Sequence, residues 1–379
     1  MMWGNSVNYY NLMGCVVVFL LAVLIESLMI PRVLLISKKK RLFDIPDYRK
    51  IHSNPIPRLA GATFLPAMML SIFPLLCIQY LLFPDLLNDS NPSFFISLCL
   101  IFCGAILLLL VGVKDDLIGV KYSHKFIYQL IASLFLVGSG NKINFFYGIL
   151  GIEHVHPVLG ILFTLLLTVS IINAINLIDG VDGLAGILIS IAAAVLGIYF
   201  VLGGLYNYAY LAFSIVGIIV PFLMYNFSSR RKMFMGDTGS LIMGYILSLL
   251  TVRCCMLPLE ASAGNPLPIV IAASVLFIPL FDTIRVFAVR GIQRKPMFYP
   301  DKNHIHHKLL ELGCNHKQVC MVLAMITLVH LAMNIALYRY VNVNLLFVIN
   351  VGLGVMENLF LNYRSTVQSS FKTEPLHKD

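Results

Sequence analysis

Five aspartates and one asparagine carry most of the chemistry this chain could do. Asp115 and Asp116 are adjacent. Asn176, Asp179 and Asp182 follow one another at spacings of three, and Asp237 stands before a Thr-Gly-Ser run. The chain has 379 residues and only 18 acids, yet five of them fall at three borders between apolar and polar sequence. Ionised groups near a bilayer are costly and tend to be functional. Carboxylate and amide oxygens are hard ligands, and with lysines nearby they suggest a Mg²⁺–phosphate site.

Each motif also has a plainer reading. Asp115-Asp116 could be a polar loop facing a helix dipole. In NAINLIDGVDGLAG, Gly180, Gly183 and Gly186 would let a ligand approach the backbone closely. In MGDTGS, Asp237 or Thr238 could cap a helix, and the same free N–H groups would attract phosphate. In PDKNHIHHKLLELG, His304, His306 and His307 could bind zinc, face lipid headgroups, or donate to diphosphate and sugar oxygens. Lys50, His52 and Arg58, in DIPDYRKIHSNPIPRLAG, could anchor a loop or capture a lipid phosphate. Asp282 and Arg285 have the spacing of a helical ion pair.

These motifs must be positioned by a membrane protein. The apolar fraction is 59%, the charged fraction 12% and the mean hydropathy +0.87. A soluble domain carries about 25% charged residues. A spanning window of about 20 residues predicts eleven helices: Met13–Ile36, Leu59–Phe83, Phe94–Val113, Phe126–Gly138, Val158–Ile175, Leu184–Leu202, Tyr208–Phe227, Ser240–Leu257, Pro268–Val289, Gln318–Leu337 and Val343–Leu361. Residues 1–361 are expected to form one all-α polytopic catalytic domain, and 362–379 a disordered cytoplasmic tail. A small hairpin is expected between Asn141 and Pro157. The eight cysteines make no CxxC pair and read as small core residues.

Of 27 basic residues, all but Lys142, Arg253 and Arg339 fall on one side, in alternate loops or, for Arg32 and Arg285, near the span ends that enter them. That bias predicts an outer N-terminus and a cytoplasmic C-terminus. It also puts the acidic motifs together at the cytoplasmic face. The net charge of +9 is then a one-sided basic surface against anionic lipid. The basic residues are split among short loops, which argues against nucleic acid.

Taken in order from Asp44 to Gly313, the motifs resemble the polyprenyl-phosphate N-acetylhexosamine-1-phosphate transferase superfamily. The HIHH loop is similar to that of the initiating N-acetylglucosamine-1-phosphate enzymes. The resemblance implies transfer of a sugar-1-phosphate from a UDP-N-acetylhexosamine to undecaprenyl phosphate. UMP leaves, and Mg²⁺ or Mn²⁺ is required. The site would face the cytoplasm of the bacterial inner membrane, and a homodimer is conceivable. By matched position, Asn176 and Asp237 lie near the metal. Phe234 stacks on uracil and Asp182 contacts its edge. Asp115, Asp116 and Asp179 are the acids needed for activity. Lys125, His304, His306 and His307 lie near the diphosphate and sugar, and Lys50 near the acceptor phosphate, where the reading of the loop also puts Arg58. Ala60 departs from a glycine frequent in relatives. Gly119 replaces a lysine of the muramoyl branch, which argues against a peptidoglycan precursor as substrate.

Three other classes make different expectations. A transporter would place its polar residues at mid-span. A CDP-alcohol phosphotransferase would continue its Asp-Gly with Ala-Arg, and Gly180 is not so followed. A non-catalytic scaffold would not concentrate polar motifs in this way.

Overall fold

The computed structural model describes residues 2–44, 55–82, 92–256, 265–295 and 303–373. Lys50 and His52 lie outside the described residues. The chain is almost wholly helical: α1 (Met2–Lys40), α2 (Phe64–Leu82), α3 (Pro92–Ile118), α4 (Tyr122–Gly138), α5 (Pro157–Ile178), α6 (Leu184–Leu202), α7 (Tyr206–Asn226), α8 (Gly236–Cys255), α9 (Leu267–Val275), α10 (Phe277–Ile292), α11 (Ile305–Glu311), α12 (His316–Leu337) and α13 (Val343–Thr373). A 3₁₀ turn, Leu59–Thr63, leads into α2. Strand β1 (Phe43–Asp44) pairs with β2 (Ile56–Pro57), and β3 (Phe145–Ile149) with β4 (Ile152–His154), both antiparallel. The second pair is the hairpin expected between Asn141 and Pro157.

Among the described residues, nine helices are long and apolar enough to cross a membrane, or ten if α9 and α10 form one bent span. The eleventh expected span is α4, whose 17 residues reach only about 26 Å at 1.5 Å per residue. The expected span Pro268–Val289 is built from two helices, α9 and α10, that meet at 67°. Pro279 has no N–H to give the carbonyl of Val275, and the helix breaks there. The last helix continues to Thr373. The segment 362–373 is therefore helical, where the sequence had suggested a disordered tail.

Helix α8 is the axis of the bundle, with every residue from Thr238 to Val252 buried. Its small residues let neighbours come close. A methyl group at Gly112 of α3 would lie 2.4 Å from the Cα of Thr238. One at Gly61 of the 3₁₀ turn would lie 2.1 Å from the backbone nitrogen of Gly239. Neither position tolerates a Cβ, so both segments rest directly on the start of α8. Ala60 is fully buried here, so its methyl is accommodated in the turn. Asp116 lies one helical turn beyond Gly112 on the same face, and arrives at the N-terminus of α8.

Candidate active site

Asp115-Asp116, Asn176 and Asp237 were expected just outside helices, but they lie in the terminal turns of α3, α5 and α8. Adjacent helical residues point about 100° apart, and the two acids of the pair accordingly meet different partners. Asp116 accepts from the backbone nitrogens of Asp237 (2.9 Å) and Thr238 (3.0 Å), and from the Thr238 hydroxyl (2.5 Å). It is the cap of α8, supplied by another helix, and satisfies donors a helix start leaves free.

Asp115 faces Lys125 instead. Lys125 Nζ lies 2.6 Å from Asp115 Oδ2 and 3.2 Å from Asp237 Oδ2. One ammonium thus bridges two carboxylates. The Val120 nitrogen donates to Asp115 Oδ1 at 2.6 Å. On the other side, Asn176 Nδ2 donates to Asp237 Oδ1 (2.5 Å) and to Ser240 Oγ (2.8 Å). Both bonds use Nδ2 and leave the amide's Oδ1 outside them. Residues more than fifty positions apart in sequence therefore share one small polar cluster.

Asp179 is the C-cap of α5. Burial pushes its carboxyl well above the usual carboxylate range, and the charge of Asp237 adds to this, while Arg58 partly opposes it. The folded state therefore favours the neutral acid, and stability falls as pH rises from about 4 towards its folded value. Asp179→Asn is expected to raise the melting temperature at pH 7 relative to the wild type. The gain should shrink to nothing below about pH 4, where the acid is protonated in both states. A pH series of melting curves on both proteins checks this, and equal curves throughout would refute it.

The loop after Asp179 is tied to the segment before α8 by Asn226. Its Oδ1 accepts from the Gly183 nitrogen (2.5 Å), and its Nδ2 donates to the Met233 carbonyl (2.8 Å). The Asp182 carboxylate contacts Lys232 Nζ (2.5 Å) and His316 Nδ1 (2.6 Å), both through Oδ2. Burial opposes its charged form, but the bonds from His316 and Lys232 hold it below the usual carboxylate range. Lys232 also lies 5.6 Å from the ring centroid of Phe234. The Phe234 backbone is fixed by Pro57 and Ala60 through its N–H (2.8 Å) and carbonyl (3.3 Å).

The histidine loop joins the same site through Gly180, where a methyl group would lie 2.6 Å from His306 Nε2. Asp282 holds the loop in place. Its carboxylate meets His304 Nδ1 (2.8 Å), the Ile305 nitrogen (3.1 Å) and Arg285 (2.6 Å). The ion pair expected from spacing is therefore also the anchor of α11. Burial, then His307 and His304, push His306 down to about 3, so it stays neutral near pH 7. The rings of His306 and His307 are 4.3 Å apart.

The structure thus gathers Asp115, Lys125, Asn176 and Asp237, with Arg58 and Asp179 close enough to influence one another electrostatically. It brings His306 to their loop, and holds Asp182 beside Lys232 and Phe234. Sequence reasoning missed Asn226, Lys232, His316 and Ser240, and named Thr238 only as a possible helix cap. Only Asn226 had a signal, as a buried-type amide between an apolar helix and a basic loop.

Residues 98–255 match the family model for glycosyl transferase family 4. The chain is 31% identical over 314 residues to a probable undecaprenyl-phosphate N-acetylglucosaminyl 1-phosphate transferase of Bacillus subtilis, covering 82% of this chain and 81% of that one. It is 31% identical over 294 residues to the undecaprenyl-phosphate alpha-N-acetylglucosaminyl 1-phosphate transferase of Haemophilus influenzae, covering 76% and 77%. A decaprenyl-phosphate N-acetylglucosaminephosphotransferase of Mycobacterium tuberculosis is 27% identical, covering 73% and 71%. These matches make this multi-pass helical membrane protein a transferase. The chain belongs to glycosyl transferase family 4, the polyprenyl-phosphate hexosamine-1-phosphate transferases.

Proposed function

We propose that the protein transfers N-acetylglucosamine-1-phosphate from UDP-N-acetylglucosamine to undecaprenyl phosphate. UMP is released, and the lipid diphosphate sugar starts a cell-envelope polysaccharide such as O-antigen. The reaction runs at the cytoplasmic face of the bacterial inner membrane. The N-terminus is outside, the C-terminus is inside, and α4 serves as an eleventh crossing. The observation that carries this reading is the Asp115–Lys125–Asp237–Asn176 cluster. It combines oxygen donors with one cation at helix ends, which suits a diphosphate.

The donor set fits Mg²⁺ or Mn²⁺. Among the described residues no three His, Cys, Asp or Glu side chains form a closed metal site. Mg²⁺ needs none, since it is held by one or two carboxylates, waters and substrate phosphates. Asp237 and Asn176, with Asp115, would hold it. When bound it supplies neutralisation of the donor diphosphate's charge.

The remaining steps belong to the chain's own groups. A phosphate monoester has a second pKa of about 6, so the acceptor is already largely dianionic and needs little base assistance. Arg58 and Lys50 draw the acceptor phosphate to the site. Lys125 reduces repulsion between the two phosphates, and Asp115 orients Lys125 and receives any residual acceptor proton. His306 is neutral and can hydrogen-bond sugar or phosphate oxygens without a fixed charge, and His307 lies beside it. Asp116 sets the direction of α8 and thereby the place of Asp237. Holding both substrates in line supplies much of the rate. The acceptor phosphate oxygen attacks the β-phosphorus of the donor, and the bond to the UMP oxygen breaks.

Phe234 stacks on uracil, with Asp182 at its edge. Phe234→Ala is expected to raise the donor KM from a few-fold to about 100-fold, since stacking is worth ~1–3 kcal/mol per base. An unchanged donor KM would remove Phe234 from the nucleotide site. The reaction as a whole is tested by the mass of the lipid product formed from a panel of UDP-sugars. Release of UMP without a lipid diphosphate product would sink it. UMP exchange into UDP-sugar by lipid-free enzyme would instead favour a two-step route through an aspartyl intermediate.

A further inference from the structure

Glu26 is the one acid in α1 and is fully buried. Its Oε1 lies 2.5 Å from the hydroxyl of Thr63, and its Oε2 is buried with no hydrogen-bond partner. Nothing in the proposed reaction uses it. The Thr63 hydroxyl also lies 2.7 Å from the carbonyl oxygen of Ala60. A hydroxyl has one proton and two lone pairs. The Ala60 carbonyl can only accept, so it takes that proton, and the contact with Glu26 then requires a proton on the carboxyl. An ionised Glu26 would instead be a buried charge in the bundle with one oxygen facing nothing, which is among the costliest arrangements a membrane protein can hold.

Thr63 ends the 3₁₀ turn that begins directly after Arg58. The turn lies against the segment before α8: the Ala60 and Gly61 nitrogens donate to the carbonyls of Phe234 (3.3 Å) and Met235 (3.0 Å). A clamp on Thr63 therefore fixes Arg58 and Phe234 on opposite sides of one small junction. We propose that Glu26, as a neutral carboxylic acid, is a positioning residue that pins this turn from α1 and so holds Arg58 at the acceptor end of the site.

Two measurements on the full-length protein in detergent test this. Infrared spectra of the wild type are expected to show a protonated-carboxyl C=O band that is missing in Glu26→Gln and shifted in Thr63→Val. This arm does not depend on the reaction assigned to the protein. In the kinetic arm, which rests on that assignment, the amide of Glu26→Gln can still donate to Thr63. It should keep the KM for undecaprenyl phosphate within about three-fold, whereas Glu26→Ala, which leaves the Thr63 oxygen unpaired, should raise it about ten-fold or more. The KM for the UDP-sugar should stay within about two-fold in Glu26→Gln, and Thr63→Val added to Glu26→Ala should cost little more, as expected for one shared contact. Absence of the carboxyl band, or a Glu26→Gln variant as impaired towards the acceptor as Glu26→Ala, would overturn the proposal. If Glu26→Ala does not fold, Thr63→Val alone takes its place in the kinetic comparison, and an unchanged acceptor KM there is equally fatal. Absence of any transfer while the band behaves as expected would indict the assigned reaction and leave the neutral clamp standing.

Discussion

Asp237→Asn is expected to abolish transfer while the protein still purifies and melts as a folded species. The residue change keeps the size of the side chain but removes the charge that Lys125 meets at 3.2 Å and that would face a divalent cation. The new amide has one acceptor oxygen, so it can keep the bond from Asn176 only by turning its NH2 onto the Lys125 ammonium, and one of the two contacts is lost. Losing one well-placed electrostatic group costs about 10²–10³ in kcat, and here a charge and an orienting bond go together. A loss of about 10³-fold or more is therefore anticipated, read as radiolabelled sugar-phosphate appearing in lipid. Activity within ten-fold of wild type would show that the reacting phosphates lie elsewhere.

The adjacent acids should fail in different ways. Asp116→Ala removes the acceptor for two backbone nitrogens and one hydroxyl at the start of the central helix. Each buried donor left unpaired costs about 1–3 kcal/mol, so the melting temperature should fall by about 5 °C or more together with activity. Asp115→Asn leaves that cap intact and leaves Lys125 with Asp237. It should melt within about 2 °C of wild type yet lose about 10²–10³ in kcat. Paired melting and turnover measurements separate the roles. If Asp115→Asn is the destabilised variant and Asp116→Ala the stable one, the assignment drawn from their contacts is reversed.

The sequence made the cluster legible because charge in an apolar chain is conspicuous. Asp115, Asp116, Asn176 and Asp237 were found that way, and the one-sided lysines and arginines suggested a common face. What it could not show is which acid acts on substrate and which on backbone. Asp116 caps a helix that starts 120 residues later, and no local signature records a cap supplied across the bundle. Asn226, Lys232 and His316 were missed for the same reason, since each looks like an ordinary polar residue at a helix end. Helix boundaries were read short at α3, α5 and α8 because hydropathy falls where the polar residues begin, while backbone hydrogen bonding continues through them. The bend before Phe277 was available in Pro279, but the apolar run on both sides of it concealed the break.

The asparagine that joins the Gly183 amide to the Met233 carbonyl has an evolutionary consequence. It staples the two ends of the stretch Phe227–Lys232 to fixed points, so descendants of this gene can change the exposed letters at Ser229, Arg230 and Arg231 but not the number of letters in the stretch. An inserted or deleted residue there would pull apart two loops whose mutual distance is set by this amide together with the Asp182–Lys232 pair, and such indels should be purged from the lineage.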